Sequence, residues 1–189
     1  MTREYHAPSD CYYGRPFHSP SYDANGCSYS PHHAQSASGL TVSGCGRVLY
    51  VLNGDSITKT SIVNGGTVVV GYGGSSSYAT ISRDSLQAII SGGTSSHTTV
   101  GSGGIEAVYT NGSTTQTVLN GGDQVVFGGT ATNTTVGKGS TQYVLTGQAN
   151  GTTIGAGGTL AVSSWGTVNN ASVLNGGTLV GNFGSFVQN

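Results

Sequence analysis

An internal repeat of 18 or 19 residues limits what this chain can fold into more than any other feature of its sequence. Within each unit, a β-branched residue follows a pair of small or hydroxyl-bearing residues. These anchor positions are Ile62, Ile81, Val100, Val118, Val136, Ile154 and Val173, and Val42 is expected to open the series. A second series lies eight positions further on and consists of Val70, Ile89, Val108, Val126, Val144 and Val162. A unit this short buries its apolar residues only against neighbouring units, so the repeat predicts a stacked architecture.

Glycine turns separate the two apolar segments of each unit. The triplet NGG occurs at 64–66, 120–122 and 175–177, and SGG occurs at 91–93 and 102–104. Glycine and asparagine adopt positive φ at little cost, which suits tight turns. With 33 glycines in 189 residues, and glycine costing about 1 kcal/mol per helical position relative to alanine, a helical fold is excluded.

The expected fold is therefore all-β. We predict a single-stranded β-helix, or β-solenoid, of about eight coils with 18–19 residues each. Adjacent strands lie ~4.8 Å apart, so such a rod is on the order of 35–40 Å long. Its core is expected to be a narrow ladder of isoleucine and valine, in which each side chain rests on its equivalent one coil away.

Two compositional regions divide the chain. Residues 1–38 contain all four prolines, four of the five histidines and half of the ten tyrosines. We predict that this segment is mostly irregular and is a candidate cap for one end of the solenoid, which extends over residues 39–189. The three cysteines, Cys11, Cys27 and Cys45, are too few for a disulfide framework. A Cys11–Cys27 bridge and unpaired thiols are both compatible with the sequence.

A column of hydroxyls is the sharpest feature beyond the repeat. Side chains alternate between the two faces of a strand, so the residue before each inward anchor points outward. These outward residues are Ser61, Thr80, Thr99, Thr117, Thr135, Thr153 and Ser172. Threonine suits exposed strand positions, which explains such a column without any function. The functional interpretation is a ladder for glycan attachment, glycan binding or ordered water.

Charge argues against two classes of partner. Charged residues make up 7% of the chain and the formal net charge is −1. Nucleic acid and anionic membrane surfaces select basic proteins, so neither is an expected partner. No apolar stretch approaches the ~18 residues of a membrane-spanning helix, and residues 1–20 lack the pattern of a secretory signal, so we expect neither membrane insertion nor export in that form.

The sequence shows no arrangement expected of an enzyme or a metal centre. Solenoid lyases and hydrolases need clustered carboxylates in a groove. Beyond residue 38 the acids are Asp55, Asp84, Glu106 and Asp123, and their positions within the repeat differ. His97 is predicted to lie on the surface. The histidines and cysteines of residues 1–38 match no standard zinc spacing, so we predict no catalytic residue, metal or cofactor.

Three segments resemble a known family of repeats. They read VNGGTVVVGYGGSSSYAT, VLNGGDQVVFGGTATNTTV and VGKGSTQYV. They are similar to the 18–19-residue repeats of AIDA-type autotransporter adhesins, a group that includes antigen 43-like self-associating proteins. The resemblance covers residues 39–189 and does not include residues 1–38.

The resemblance implies a secreted β-helical passenger displayed on the outside of a Gram-negative outer membrane. Family members mediate cell–cell aggregation, adhesion and biofilm formation, and some are O-glycosylated by heptosyltransferases on serine and threonine. The implied partners are copies of the same protein on neighbouring cells, host or surface glycans, and a heptosyltransferase. The outward hydroxyl ladder is where the modification is expected.

Three functions compete at this stage. The first is a non-enzymatic surface adhesin or self-association module, in which neutral rods pair side by side and multivalency compensates for weak contacts. The second is a structural spacer stalk within a larger bacterial surface protein. The third is an ice-binding solenoid, which requires two flat columns of threonine where the repeat analysis finds one.

Overall fold

The computed structural model describes residues 36–181 and five pairs outside that range, at 3–4, 21–22, 28–29, 32–33 and 187–188. The first strands are β1 (Arg3–Glu4), β2 (Ser21–Tyr22), β3 (Ser28–Tyr29), β4 (His32–His33), β5 (Ala37–Ser38), β6 (Leu40–Ser43), β7 (Val48–Val51), β8 (Ser56–Thr58) and β9 (Ser61–Val63). They are followed by β10 (Thr67–Val70), β11 (Ser75–Ser77), β12 (Thr80–Ile81), β13 (Leu86–Ile89), β14 (Thr94–Ser96), β15 (Thr99–Gly101), β16 (Ile105–Tyr109), β17 (Ser113–Thr115) and β18 (Val118–Asn120). The remaining strands are β19 (Asp123–Thr132), β20 (Thr135–Val136), β21 (Thr141–Asn150), β22 (Thr153–Ile154), β23 (Thr159–Asn169), β24 (Ser172–Val173), β25 (Thr178–Gly181) and β26 (Val187–Gln188).

All of these strands except β2 and β3 form a parallel β-solenoid with three faces. The first face stacks β6, β9, β12, β15, β18, β20, β22 and β24 in that order. The second face stacks β7, β10, β13 and β16, then the first halves of β19, β21 and β23, and then β25. The third face stacks β5, β8, β11, β14 and β17, then the second halves of β19, β21 and β23, and then β26. The all-β solenoid of about eight coils is confirmed.

The register places equivalent residues of successive repeats directly opposite one another. Val70 pairs with Ile89, which in turn pairs with Val108. The predicted second apolar series thereby forms one buried column, and Gly181 takes the place after Val162. The apolar core runs along the rod axis as expected, because a single coil is too small to enclose a valine by itself.

One predicted anchor is wrong. In the first face Val100 pairs with Leu119 and Leu119 pairs with Val136, whereas Val118 pairs with Thr99 and Thr135. Leu119 is buried and Val118 is 44% exposed. The repeat is one residue longer before this anchor and one residue shorter after it. The average spacing is therefore unchanged, and the shift cannot be seen from the spacing alone.

Paired glycines mark the corner between the first and second faces and the corner between the second and third faces. The second glycine of a pair lies against the coil below. A Cβ on Gly74 would stand 2.0 Å from the carbonyl oxygen of Val51, and one on Gly93 would stand 2.1 Å from that of Val70. No side chain fits at such a distance, so the recurring GG pattern reflects close approach between coils as well as turn geometry.

Short strands of the leading segment extend the faces at one end. β1 pairs with β6 on the first face, β4 pairs with β7 on the second, and β5 pairs with β8 on the third. β2 and β3 pair with each other in antiparallel fashion. A capping role for residues 1–38 stays a prediction, and Cys11 and Cys27 lie outside the described residues, whereas Cys45 is an exposed free thiol.

Candidate functional site

The predicted hydroxyl ladder lies on the outside of the first face, with one exception. Ser61 pairs with Thr80, and Thr80 pairs with Thr99. After a gap at Val118 the column continues through Thr135, Thr153 and Ser172. These six hydroxyl-bearing residues are exposed or half-exposed. The first face therefore carries an aligned but interrupted column of hydroxyls.

Thr117 is the exception, and its assignment to the outward ladder is wrong. Its side chain is fully buried and its hydroxyl lies 2.8 Å from Oε2 of Glu106. The one-residue shift of the anchor to Leu119 turns Thr117 inward and places Val118 in the ladder. The same shift leaves Gln116 exposed at the corner between the third and first faces.

The third face carries a second hydroxyl array, which the sequence analysis missed. Each of five successive strands presents two outward hydroxyls, separated by one inward residue. The pairs are Ser56 and Thr58, Ser75 and Ser77, Thr94 and Ser96, Ser113 and Thr115, and Thr130 and Thr132. The signal in the sequence is a hydroxyl–any–hydroxyl pattern at the repeat spacing, but it lies outside the segments around the first-face anchors.

The interior contains a polar segment where an aliphatic ladder was expected. Between Val68 and Leu160, one inward column of the second face holds four fully buried polar residues. They are Gln87, Glu106, Gln124 and Gln142. The facing inward positions of the other two faces in these coils include Ser95, Thr98, Thr114, Thr117, Thr134 and Thr152.

Hydrogen bonds between coils satisfy most of the buried polar side-chain groups in this segment. Nε2 of Gln142 donates to Oε1 of Gln124 at 2.7 Å, and Nε2 of Gln124 donates to Oε2 of Glu106 at 2.7 Å. Hydroxyls from the other faces add donors: Thr152 to Gln142 at 2.8 Å, and Thr134 to Gln124 at 3.1 Å. The result is an amide ladder along the axis, which sets the register between coils.

Glu106 is the ionisable member of this ladder. Burial raises the pKa of its carboxyl, although hydrogen bonds from Gln124 and from threonine hydroxyls oppose the rise. Oε2 accepts from Gln124, Thr114 and Thr117, whereas Oε1 is buried without a hydrogen-bond partner. In a ladder of amides, Oε1 occupies the place of a donor, so a proton there restores the pattern.

The other titratable groups of the described residues do not gather into a metal or catalytic site. No group of three or more metal-ligating side chains occurs among the described residues. His97 is exposed, as predicted, and its ring stacks on that of Tyr78 with centroids 4.6 Å apart. Glu106 pairs with glutamines, not with another acid.

Within the part of the chain that the structure describes, no helix has the length and hydrophobicity needed to cross a bilayer.

Among solved structures, the chain is similar to a TibC-catalysed hyper-glycosylated TibA fragment. The two are 29% identical, the TM-score is 0.64, and the match covers 83% of this chain and 73% of the fragment. No model of a known protein family matches the chain. No curated protein matches it either.

Proposed function

We propose that this chain is a non-enzymatic surface adhesin or self-association module, a passenger-type β-helix displayed on or secreted from a bacterial cell. The observation that carries the proposal is a rod whose first and third faces are lined by aligned, uncharged hydroxyls. A regular row of identical weak contacts gives avidity when two surfaces bear many copies. The similarity to the hyper-glycosylated TibA fragment supports a β-helix whose exposed hydroxyls carry glycans.

A glycosyltransferase is the first partner that the proposal names. The TibA fragment is hyper-glycosylated by TibC, and this chain has similar coils with exposed serines and threonines. The candidate acceptors are Ser61, Thr80, Thr99, Thr135, Thr153 and Ser172 of the first face and the ten hydroxyls of the third. Thr117 is excluded because its hydroxyl is buried.

Bead aggregation tests adhesion directly. The purified chain would be coupled to one population of latex beads and an unrelated uncharged protein to another. The proposal expects bead–bead clustering, or capture of glycan-coated beads, with the first population alone. Beads that neither cluster nor capture glycans would overturn the adhesin proposal and favour a spacer stalk.

Intact-mass spectrometry after incubation with TibC and its sugar donor tests the glycosyltransferase. The expected result is a series of mass additions that shortens when Thr80, Thr99 and Thr135 are changed to valine. The matched control changes the buried Thr117 and Thr134 to valine and leaves the series at its full length. An unmodified mass in the parent chain would contradict the assignment of this partner.

The third face also offers two columns of hydroxyls, which is part of the arrangement required for ice binding. Five coils present paired hydroxyls on a parallel sheet, although serine fills half of the positions in this array. Thermal hysteresis separates the two functions, since an adhesin has none. A freezing-point depression beyond the colligative value would favour ice binding.

A further inference from the structure

The second face differs in composition from the other two. Its outward positions alternate with the buried columns along β7, β10, β13, β16 and the first halves of β19, β21 and β23. Most of them are apolar: Val48, Tyr50, Val69, Leu86, Ala88, Ile105, Ala107, Val125, Tyr143 and Ala161, with Leu52, Ile90, Tyr109, Phe127 and Leu145 at the strand ends. We call this set the apolar face.

The exposed part of the apolar face is concentrated in three successive coils. Ile105 is 42% exposed and Tyr109 41%; Phe127 is 50% exposed in the next coil; and Tyr143 is 38% exposed in the third. Tyr109 and Phe127 contact each other edge to face, with ring centroids 6.3 Å apart. Contiguous apolar surface of this kind marks an interaction site.

The preceding coils extend the same apolar surface. A Cβ on Gly71 would lie 2.5 Å from Cδ2 of Leu52 and 3.5 Å from Cγ1 of Ile90, so these two side chains close over the glycine from either side. The glycine thus levels the sheet surface between two aliphatic neighbours. Asp123 is the charged residue among the outward positions of this face.

We infer that the apolar face is the surface through which two copies of this chain associate side by side, sheet against sheet. The inference rests on the proposed self-association and assigns its surface. Each apolar face carries one carboxylate, that of Asp123, so two identical faces repel one another little. This suits an isologous contact, in which the same surface of both copies meets. Sheets with apolar faces pack ~10 Å apart with their strands nearly aligned.

The available area fits a reversible contact. Seven coils spaced ~4.8 Å apart and about five residues of ~3.3 Å across give a face on the order of 550 Å². Two such faces bury about 1,100 Å², close to the lower limit for a specific interface and below that of permanent dimers. The hydroxyl faces then stay free for glycans or receptors.

Sedimentation velocity on the full chain, over a wide range of concentrations, tests this assignment. Phe127→Lys and Tyr143→Lys, made separately, are expected to weaken association by about 10-fold or more, because each buries an unpaired charge within the apolar contact. The matched control is Val118→Lys, which alters a strand residue of similar exposure, 44%, on the first face. It is expected to change association by less than about 2-fold, since a charge outside the contact is screened.

Circular dichroism and thermal unfolding would first show that each variant retains the fold. Association that persists in both apolar-face variants, or that is lost in Val118→Lys or Thr99→Lys, would overturn the assignment while leaving the adhesin proposal intact. A parent chain that stays monomeric at every concentration would overturn homotypic association itself. Bead capture of glycans would then still decide the adhesin proposal separately.

Discussion

At the scale of single residues, Glu106 is the position where an ionised side chain does not match the hydrogen-bond pattern of its buried column. Its neighbours along the column are glutamines, which both donate and accept, whereas an ionised carboxylate only accepts. Oε1 is consequently left without a hydrogen-bond partner inside the rod. Leaving a buried polar atom unpaired costs about 1–3 kcal/mol.

The pKa of Glu106 predicts how stability depends on pH. Burial raises the pKa above its ordinary value of 4.5, so the folded chain keeps the proton at pH values where the unfolded chain has lost it. This group's contribution to stability is therefore fully present below pH 4.5 and declines as pH rises towards the folded pKa. Urea denaturation from pH 4 to pH 8 measures the trend.

Glu106→Gln isolates that effect from the other carboxyls. The amide supplies a donor in place of Oε1 and extends the ladder of Gln124 and Gln142, so the variant is expected to gain about 1–3 kcal/mol at neutral pH. The gain over the parent chain should shrink in acid, where Glu106 is protonated. A gain that is the same at pH 4 and pH 8 would contradict the proposed protonation.

Gly93→Ala tests the close approach between coils. The added methyl group would stand 2.1 Å from the carbonyl oxygen of Val70. The backbone shift needed to relieve such overpacking is expected to lower the free energy of unfolding by about 1–3 kcal/mol. The matched control is Gly101→Ala, whose Cβ would meet its neighbours at 3.6 Å. Chemical denaturation should show a large loss for the first and a change within about 0.5 kcal/mol for the second.

At the scale of elements, the corner between the third and first faces is built from one left-handed residue per coil. Asparagine and glycine tolerate this conformation, and they occupy the corner in later coils: Asn133, Gly151 and Asn170. Gly39 occupies the corner in the first coil, and the four coils between use bulkier residues, namely Lys59, Tyr78, His97 and Gln116, with φ between 53° and 56°. The stacked rings of Tyr78 and His97 offset part of the conformational cost.

Gln116→Asn is expected to stabilise this corner by roughly 0.5–1 kcal/mol, because asparagine adopts positive φ more easily than glutamine does. The side chain of Gln116 is exposed and its φ is 56°, within a degree of the 55° of Asn133. Gln148→Asn, at an exposed strand position of the third face, is the matched control and should not stabilise. Thermal unfolding of both variants measures the difference.

At the scale of the whole molecule, low charge determines how the proposed self-association responds to salt. With 7% charged residues and a net charge of −1, the rods neither attract nor repel one another strongly. Association through an apolar face is therefore expected to depend little on sodium chloride between ~0.05 and ~0.5 M. It should strengthen in sulfate, which favours burial of apolar surface.

Sedimentation equilibrium in the two salts measures this behaviour. A steep loss of association with sodium chloride would indicate charge pairs and contradict the apolar contact.

The repeat alone determined the fold class. A unit of 18 or 19 residues is too short to bury its own apolar pair, so the units bury these residues by stacking on one another. The repeat also placed Val70 and Ile89 in one column and Thr80 and Thr99 in another, since side chains alternate along a strand. His97 was predicted to lie on the surface because it is a lone polar residue in a threonine-rich stretch, and it is exposed.

The tertiary structure decided which residues share a coil register and which surfaces are exposed. A compensated shift of one residue turned Thr117 inward and Val118 outward, because pairing with the neighbouring coils, and not local spacing, fixes the register. The amide ladder around Glu106 and the double hydroxyl array exist only when coils are stacked. Hydrogen-bond partners in the ladder are 8 to 18 residues apart, and equivalent hydroxyls of successive coils are 17 to 19 residues apart. Sequence periodicity specifies that coils stack, but cross-coil packing specifies what each column contains.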